Sequence, residues 1–175
     1  MVIEKQQEYV NLIESIRNKD VAIVAVHEDY RKHSAESKIV AVSLQYDDNT
    51  VDVVFNHSES LENNLDISLL SSAKRFWVDD VKEFYHLTGF TNIYDVSLWC
   101  HLNHQKLEDT VKPYVFEHLY KINHSKFNIN RIVPLVKVLE HARDRLNKIR
   151  RHEITIDRGF LKYNQALVTL AKLEK

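Results

Sequence analysis

Glycine is almost missing from this chain: Gly89 and Gly159 are its only two among 175 residues. Two isolated glycines cannot write a phosphate-cradling P-loop or a dinucleotide fingerprint, so those two chemistries are excluded. Cys100 is the only cysteine. It rules out an internal disulfide and a cysteine-based zinc site, and it fits an intracellular, cytoplasmic setting. No apolar run approaches the roughly 18 residues of a membrane span, and Met1 to Glu8 lacks the basic-then-apolar build of a signal peptide. The formal net charge is only −1, so any nucleic-acid contact has to rest on a local patch. What the chain does have is a hydrophobic content of 44%, enough to bury a core within one domain spanning residues 1–175.

The strongest pattern runs from Asp20 to Phe55. Val21–Val26 and Ile39–Tyr46 are continuous β-branched runs suited to the buried centre of a sheet. Thr50–Phe55 follows Asp47-Asp48-Asn49, a connection of hairpin length and composition. Ahead of them, Tyr9, Leu12, Ile13 and Ile16 keep helical spacing within residues 5–17. Beyond them, Ser58 or Ser60 is placed to cap a short helix across Leu61–Leu70. Lys74–Val78 reads as a strand, and Asp79 or Asp80 caps a helix carrying Val81, Phe84 and Tyr85 that Gly89 stops. Asn92–Tyr94 is a further strand, and Asp95 caps a helix with Val96, Leu98, Trp99 and Leu102.

From Lys106 onward the pattern predicts helices only. Val111, Val115, Leu119 and Ile122 make one stripe. Ile132, Val136, Leu139, Ala142, Leu146 and Ile149 make another, with Pro134 in the first turn. Asp157 caps a last helix with an apolar face through Leu161, Leu167, Leu170 and Leu173. The element order predicts an α/β fold: an antiparallel three-strand meander, then crossover-linked strands, flanked by helices, with a helical C-terminal half.

Four segments resemble the 3′–5′ exonuclease domain of family A DNA polymerases, which has the ribonuclease-H-like fold. Ile39-Val40-Ala41-Val42-Ser43-Leu44 is similar to its second strand. Tyr94-Asp95-Val96-Ser97-Leu98 is similar to the segment opening its central helix, and Ala166-Leu167-Val168-Thr169-Leu170 resembles its last helix. Val26-His27-Glu28-Asp29-Tyr30 is similar to the end of the first strand in the bacillus-type DNA polymerase I, whose exonuclease-like domain is vestigial.

In active members four carboxylates hold two metal ions, which generate a hydroxide and stabilise the leaving oxygen. Carried over residue by residue, the Asp-x-Glu of the first strand falls on Val26 and Glu28. The Asn-x-x-x-Asp pattern falls on Trp77 and Val81, with Asp79 and Asp80 just out of register. The Tyr-x-x-x-Asp pattern begins at Tyr163 and ends on Leu167, or offers Gln165 in the alternative register. Only Glu28 keeps a carboxylate, and alkyl groups give magnesium no oxygen. The resemblance therefore implies a catalytically inactive domain with no metal and no other cofactor. Its vestigial positions are Val26, Glu28, Val81 and Leu167. Its role would be structural support of the polymerase domain of the same parent chain, in replication and repair. If the alkyl replacements are coupled, Val26, Val81 and Leu167 form one small apolar cluster.

The residues leave two rivals open. One is an active magnesium-dependent exonuclease with a rearranged site of Glu28, Asp79, Asp80 and Asp95. The other is a stand-alone binding or adaptor protein without chemistry. Arg143, Arg145, Lys148, Arg150 and Arg151 form the densest basic cluster, read either as a DNA-phosphate contact or as a solvated helix end complementing its dipole. His101 and His104 stand three apart and could face one metal with His118 or His124. Surface histidines are the plainer reading, as they are for His141 with Asp144. Cys100 reads as a small buried residue rather than a nucleophile.

Overall fold

Strands that are apolar over most of their length on both faces, as β-branched residues and alanines make Val21–Val26, need cover on both sides. The computed structural model describes residues 2–3, 5–27, 39–55, 65–103, 135–150 and 156–174, and it provides that cover. In chain order the described elements are β1 (Val2–Ile3), α1 (Gln6–Ile16), β2 (Asp20–His27), β3 (Ile39–Tyr46) and β4 (Asn49–Val54). A 3-10 helix (Ile67–Ser72) follows, then β5 (Arg75–Val78), α2 (Val81–Thr88), β6 (Ile93–Asp95), α3 (Val96–Leu102), α4 (Leu135–Arg150) and α5 (Arg158–Leu173). The described strands form one six-stranded sheet in the order β1-β4-β3-β2-β5-β6. The β2-β3-β4 meander is antiparallel, and β1-β4, β2-β5 and β5-β6 are parallel. This is the expected mixed α/β sheet flanked by helices.

Alternation along the strands divides the core in two. Val21, Ile23 and Ala25 of β2, Val42 and Leu44 of β3, Val51 and Val53 of β4, and Phe76 and Val78 of β5 turn to one face, where Tyr9, Leu12 and Ile16 of α1 and Val81 and Phe84 of α2 meet them. Val24 and Val26 of β2 and Ala41 of β3 turn to the other. There they join Val96, Trp99 and Cys100 of α3, Ala142, Leu146 and Ile149 of α4, and Phe160 of α5. None of the described helices is long and apolar enough to cross a membrane.

Local chemistry sets the element ends. The β3-β4 hairpin turns at Asp47-Asp48, with Asp47 at φ 50°, a left-handed conformation that Asp tolerates better than most residues. Asp80, Asp95 and Asp157 cap α2, α3 and α5 by accepting from Glu83 N, Leu98 N and Phe160 N. Gly89, at φ 76°, ends α2 in the left-handed region where a Cβ would be strained.

Several expectations need correction. The expected helix over Leu61–Leu70 is instead a 3-10 helix beginning at Ile67, capped by Asp66, whose Oδ1 accepts from Ser68 N at 2.9 Å. Ser58, Ser60 and residues 61–64 lie outside the described residues. So do residues 104–134, which include the Val111–Ile122 stripe and Pro134. The two-residue β1 was not predicted, being too short to show a period. The inward face of α5 is not the leucine series: Phe160, Asn164, Val168 and Ala171 are buried, while Leu161, Leu170 and Leu173 are exposed.

The physical reason lies at the edge of β6 turned away from β5. Ile93 and Asp95 direct their backbone groups away from β5, and Asn164 meets both: Nδ2 donates to Ile93 O at 2.9 Å, and Oδ1 accepts from Asp95 N at 2.8 Å. A polar residue is therefore required at the centre of the buried face. Asn164→Leu is expected to destabilise the fold by roughly 2–4 kcal/mol, because two buried backbone groups lose their partner. Urea unfolding followed by circular dichroism checks this; a loss under about 1 kcal/mol would mean that water or a shifted backbone takes over both bonds.

Candidate functional site

Helix α4 crosses the sheet over β2 and β3, and two arginines on it reach carboxylates on either side. Arg143 meets Asp52, a fully buried residue of β4. Its Nε lies 2.8 Å from Asp52 Oδ2, and Nη2 contacts the same oxygen. The other carboxylate oxygen of Asp52 accepts from Ser43 Oγ on the neighbouring strand. Arg145 points toward the C-terminal ends of β5 and β6. Its Nε and Nη2 hold Asp79 at 2.7 and 2.9 Å, a two-pronged contact, and Nη2 also reaches Glu83 Oε1 at 3.2 Å. The Arg145 side chain is only 12% exposed.

Burial works against the Arg145 charge, but Asp79 and Glu83 outweigh it and hold the guanidinium firmly protonated. Burial also raises the Glu83 carboxyl above its usual range; Arg145 pulls it back, while Asp79 and Asp80 push it further up. Asp95 sits at the same strand ends. One oxygen accepts from Val81 N at 3.0 Å and the other from Leu98 N at 2.8 Å, so a single carboxylate serves the N-termini of both α2 and α3. Burial lifts its pKa to about 6; the two backbone N–H groups oppose that shift, and Asp80 and Asp79 add to it.

The residues singled out in the sequence are not all brought together. Val26 is buried against α4 at the end of β2, beside a bulge between Val26 and His27. Val81 and the half-buried Leu167 belong to the cluster on the opposite sheet face. The expected single cluster of Val26, Val81 and Leu167 therefore does not form, because alternation along β2 turns Val26 the other way. Trp77 lies on the Val26 face, its ring 5.2 Å from Tyr94 and 6.1 Å from Phe160. Tyr163 is exposed, and the aromatic–polar pair of α5 that does face the sheet is Phe160 with Asn164. Of the rival carboxylates, Asp79 is held by Arg145, Asp80 caps α2, and Asp95 caps two helices; Glu28 lies outside the described residues.

The described members of the basic cluster do not form a continuous exposed face. Arg145 is buried in its ion pairs, and Lys148, also largely covered, pairs with Asp144 at 3.4 Å. Arg143 is half-exposed but bound to Asp52. Arg151 and the Arg150 side chain lie outside the described residues. A charged helix end reads as solvated until partners on distant strands are known, which is why pattern alone missed the Arg145 pairing. His101 is exposed, Cys100 is buried, and His104, His118 and His124 are not among the described residues. No group of three or more His, Cys, Asp or Glu among the described residues is arranged to hold a metal. An open cleft of about 710 Å³, lined in part by Asn18, Lys74 and Asn92, lies at the opposite ends of β5 and β6 and shares none of these residues.

With this geometry in hand, comparison with solved structures shows the fold. Escherichia coli RNase D, an exoribonuclease involved in structured RNA processing, is similar with a TM-score of 0.58 and 12% identity, over 99% of this chain and 50% of its own. The catalytic core of RRP6 from Trypanosoma brucei is similar with a TM-score of 0.53 and 14% identity, over 99% and 50%. Magnesium-bound NrnC from Brucella melitensis follows at 0.51 and 11%, over 99% and 90%. The chain thus has a ribonuclease-H-like, 3′–5′ exonuclease-like fold, and it spans about half the length of the first two of these proteins. No family model and no curated protein sequence matches it.

Two outcomes follow for the ionised cluster. Arg145→Met should cost about 3–5 kcal/mol in unfolding experiments, because it leaves Asp79 buried and unpaired. Adding Asp79→Leu should recover part of that loss, and a double-mutant cycle with no coupling would show the pair to be incidental. Asp95, whose folded pKa is raised, favours the fold while protonated. Its contribution is complete below the ordinary carboxylate range and is lost as pH rises through about 6. Stability measured from pH 4 to 7 should fall across this window, and Asp95→Asn should flatten that part of the profile.

Proposed function

We propose that this chain is a catalytically inactive 3′–5′ exonuclease-like domain serving as structural support in a DNA polymerase I-type parent protein. One observation carries the inactive reading. At the strand end matched to the first metal-binding Asp stands Val26, packed in an apolar cluster beneath α4. The neighbouring acids support it, since Asp79 is chelated by Arg145 and Asp95 is committed to two backbone N–H groups. Magnesium seeks several oxygen ligands with free lone pairs. The described side chains at these positions do not fit such an ion: it would have to displace a buried guanidinium and uncap two helices. The Phe160 and Asn164 pair points the same way. It has the i, i+4 spacing of the Tyr-x-x-x-Asp pattern, with a neutral amide in place of the carboxylate, and the amide is occupied by β6.

The polymerase context rests on the segment resemblances at Val26–Tyr30, Ile39–Leu44, Tyr94–Leu98 and Ala166–Leu170. The partner is then the polymerase domain of the same parent chain. Among the described residues of the basic cluster, contact with DNA would fall to Arg143, the most exposed of them.

The inactive reading is tested by incubating the chain with 3′-labelled DNA and RNA oligonucleotides plus magnesium or manganese. No shortening above the buffer control is expected. Metal-dependent shortening that disappears in Glu28→Ala would establish the rival site instead. The parent is tested by reading the gene beyond the Lys175 codon: a polymerase reading frame is expected, and a stop codon there leaves the adaptor reading.

A further inference from the structure

The open cleft of about 710 Å³ at the N-terminal ends of β5 and β6 has no part in the site described above. Ser71 of the 3-10 helix, Lys74 after it and Thr88 to Asn92 beyond α2 line it, with Asn18 from the turn between α1 and β2. Ala73 and Phe90 give it an apolar part, and no acidic side chain is among its lining residues. Its size is that of a site for a small organic ligand, well beyond what one ion needs.

The hydrogen-bonding groups around the cleft are unevenly used. Three helices end beside it, and their carbonyl-rich C-termini taken alone would favour a cation. Much of that carbonyl density is already answered from within the chain. At the end of α1, Arg17 N and Lys19 N donate to Glu14 O and Ile16 O; at the end of the 3-10 helix, Ala73 N and Asn18 N donate to Leu70 O and Ser72 O. Gly89 N donates to Tyr85 O at the end of α2. Asn92 Nδ2 donates to Ala73 O at 2.9 Å, and Thr88 Oγ1 donates to Phe84 O at 2.7 Å while accepting from Phe90 N at 3.1 Å. The groups left over are able to donate. The Asn18 amide, the hydroxyls of Ser71 and Thr91, and the Lys74 ammonium make no hydrogen bond or ion pair with a described residue. The neighbouring cations Arg17 and Lys19 are paired with Glu14 and Asp47 at 2.7 and 2.5 Å, so Lys74 is the uncompensated charge of this lining.

A ligand that suits unused donors beside one ammonium is an anion rich in acceptor oxygens. No guanidinium fork lines the cleft to match a planar carboxylate. An ammonium acts as a point charge, and with hydroxyl and amide donors around it suits the oxygens of a tetrahedral phosphoryl group. A nucleic-acid backbone needs several cations along its path, and this lining has one. We infer that the cleft binds a small organic phosphate, its phosphoryl group on Lys74 with Asn18, Ser71 and Thr91, and its organic part against Ala73 and Phe90. Such a site needs no glycine-rich loop, because side chains supply the donors, and it stands whether or not the proposed function above holds.

Phenyl phosphate, inorganic phosphate and benzoate are titrated against the full chain at constant ionic strength, with backbone NMR shifts locating the contact. Phenyl phosphate should bind saturably with a Kd of about 1 mM and shift residues 71–74 and 88–92. Inorganic phosphate should bind the same residues more weakly, and benzoate about tenfold more weakly or worse. Lys74→Gln should weaken phenyl phosphate by about tenfold, and Ser71→Asp, which sets a like charge in the lining, should do so too. Lys162→Gln, outside the cleft, should leave it unchanged. The inference is overturned by the absence of saturable shifts, by shifts that map elsewhere, by benzoate binding as tightly as phenyl phosphate, or by an affinity that Lys74→Gln does not alter. It is also overturned if a 5′-phosphorylated oligonucleotide binds the same residues more tightly than phenyl phosphate, which would make nucleic acid the occupant. Melting curves establish that the variants fold, and the phosphate-against-benzoate comparison needs no variant at all.

Discussion

The position of α4 depends on two arginine–carboxylate clasps. Arg143 binds Asp52 on β4, and Arg145 binds Asp79 beyond β5, so one helix is tied to both sides of the sheet centre. An apolar stripe alone would leave it free to slide or rotate, since Ala142, Leu146 and Ile149 offer contacts without direction. Guanidinium groups add direction, because a fork of N–H donors accepts a carboxylate in few orientations. Burying these charges carries a desolvation cost, so the clasps add less net stability than their close contacts suggest. Their larger effect is on where the helix sits.

That placement bears on chemistry at the strand ends. In α/β sheets, side chains at the C-terminal ends of strands are the ones presented to ligands. Among the described residues those ends carry groups already engaged within the protein: Asp95 on two helix N-termini, Asp79 on Arg145, and Val26 packed under α4. On the function proposed above, the acids beside the lost metal positions serve internal partners: Asp79 holds a guanidinium and Asp95 two backbone N–H groups. Arg145 supplies a fixed positive charge that needs no ion from solution.

Much of the sheet was legible in the sequence because burial on both faces favours apolar runs rich in β-branched residues, as at Val21–Val26 and Ile39–Tyr46. The aspartate caps and Gly89 were legible because each acts on residues close in sequence. What could not be read was chemistry between distant segments. Asn164 looks like a surface residue until β6 is known to lie beside it, so the leucines around it were assigned to the core. Arg145 looks solvated until Asp79 is brought across 66 residues of sequence to meet it. The register of Val26 relative to Val81 could be counted along the chain, but the sheet face each would occupy could not.

The amide of Asn164 does for β6 what a further strand would do, filling one rung of a ladder that has no described strand on that side. A sheet whose last strand is closed in this way offers no template there for another chain to pair with. A strand added past β6 would have to displace the Asn164 amide from both of these backbone groups, and with it the inward face of α5.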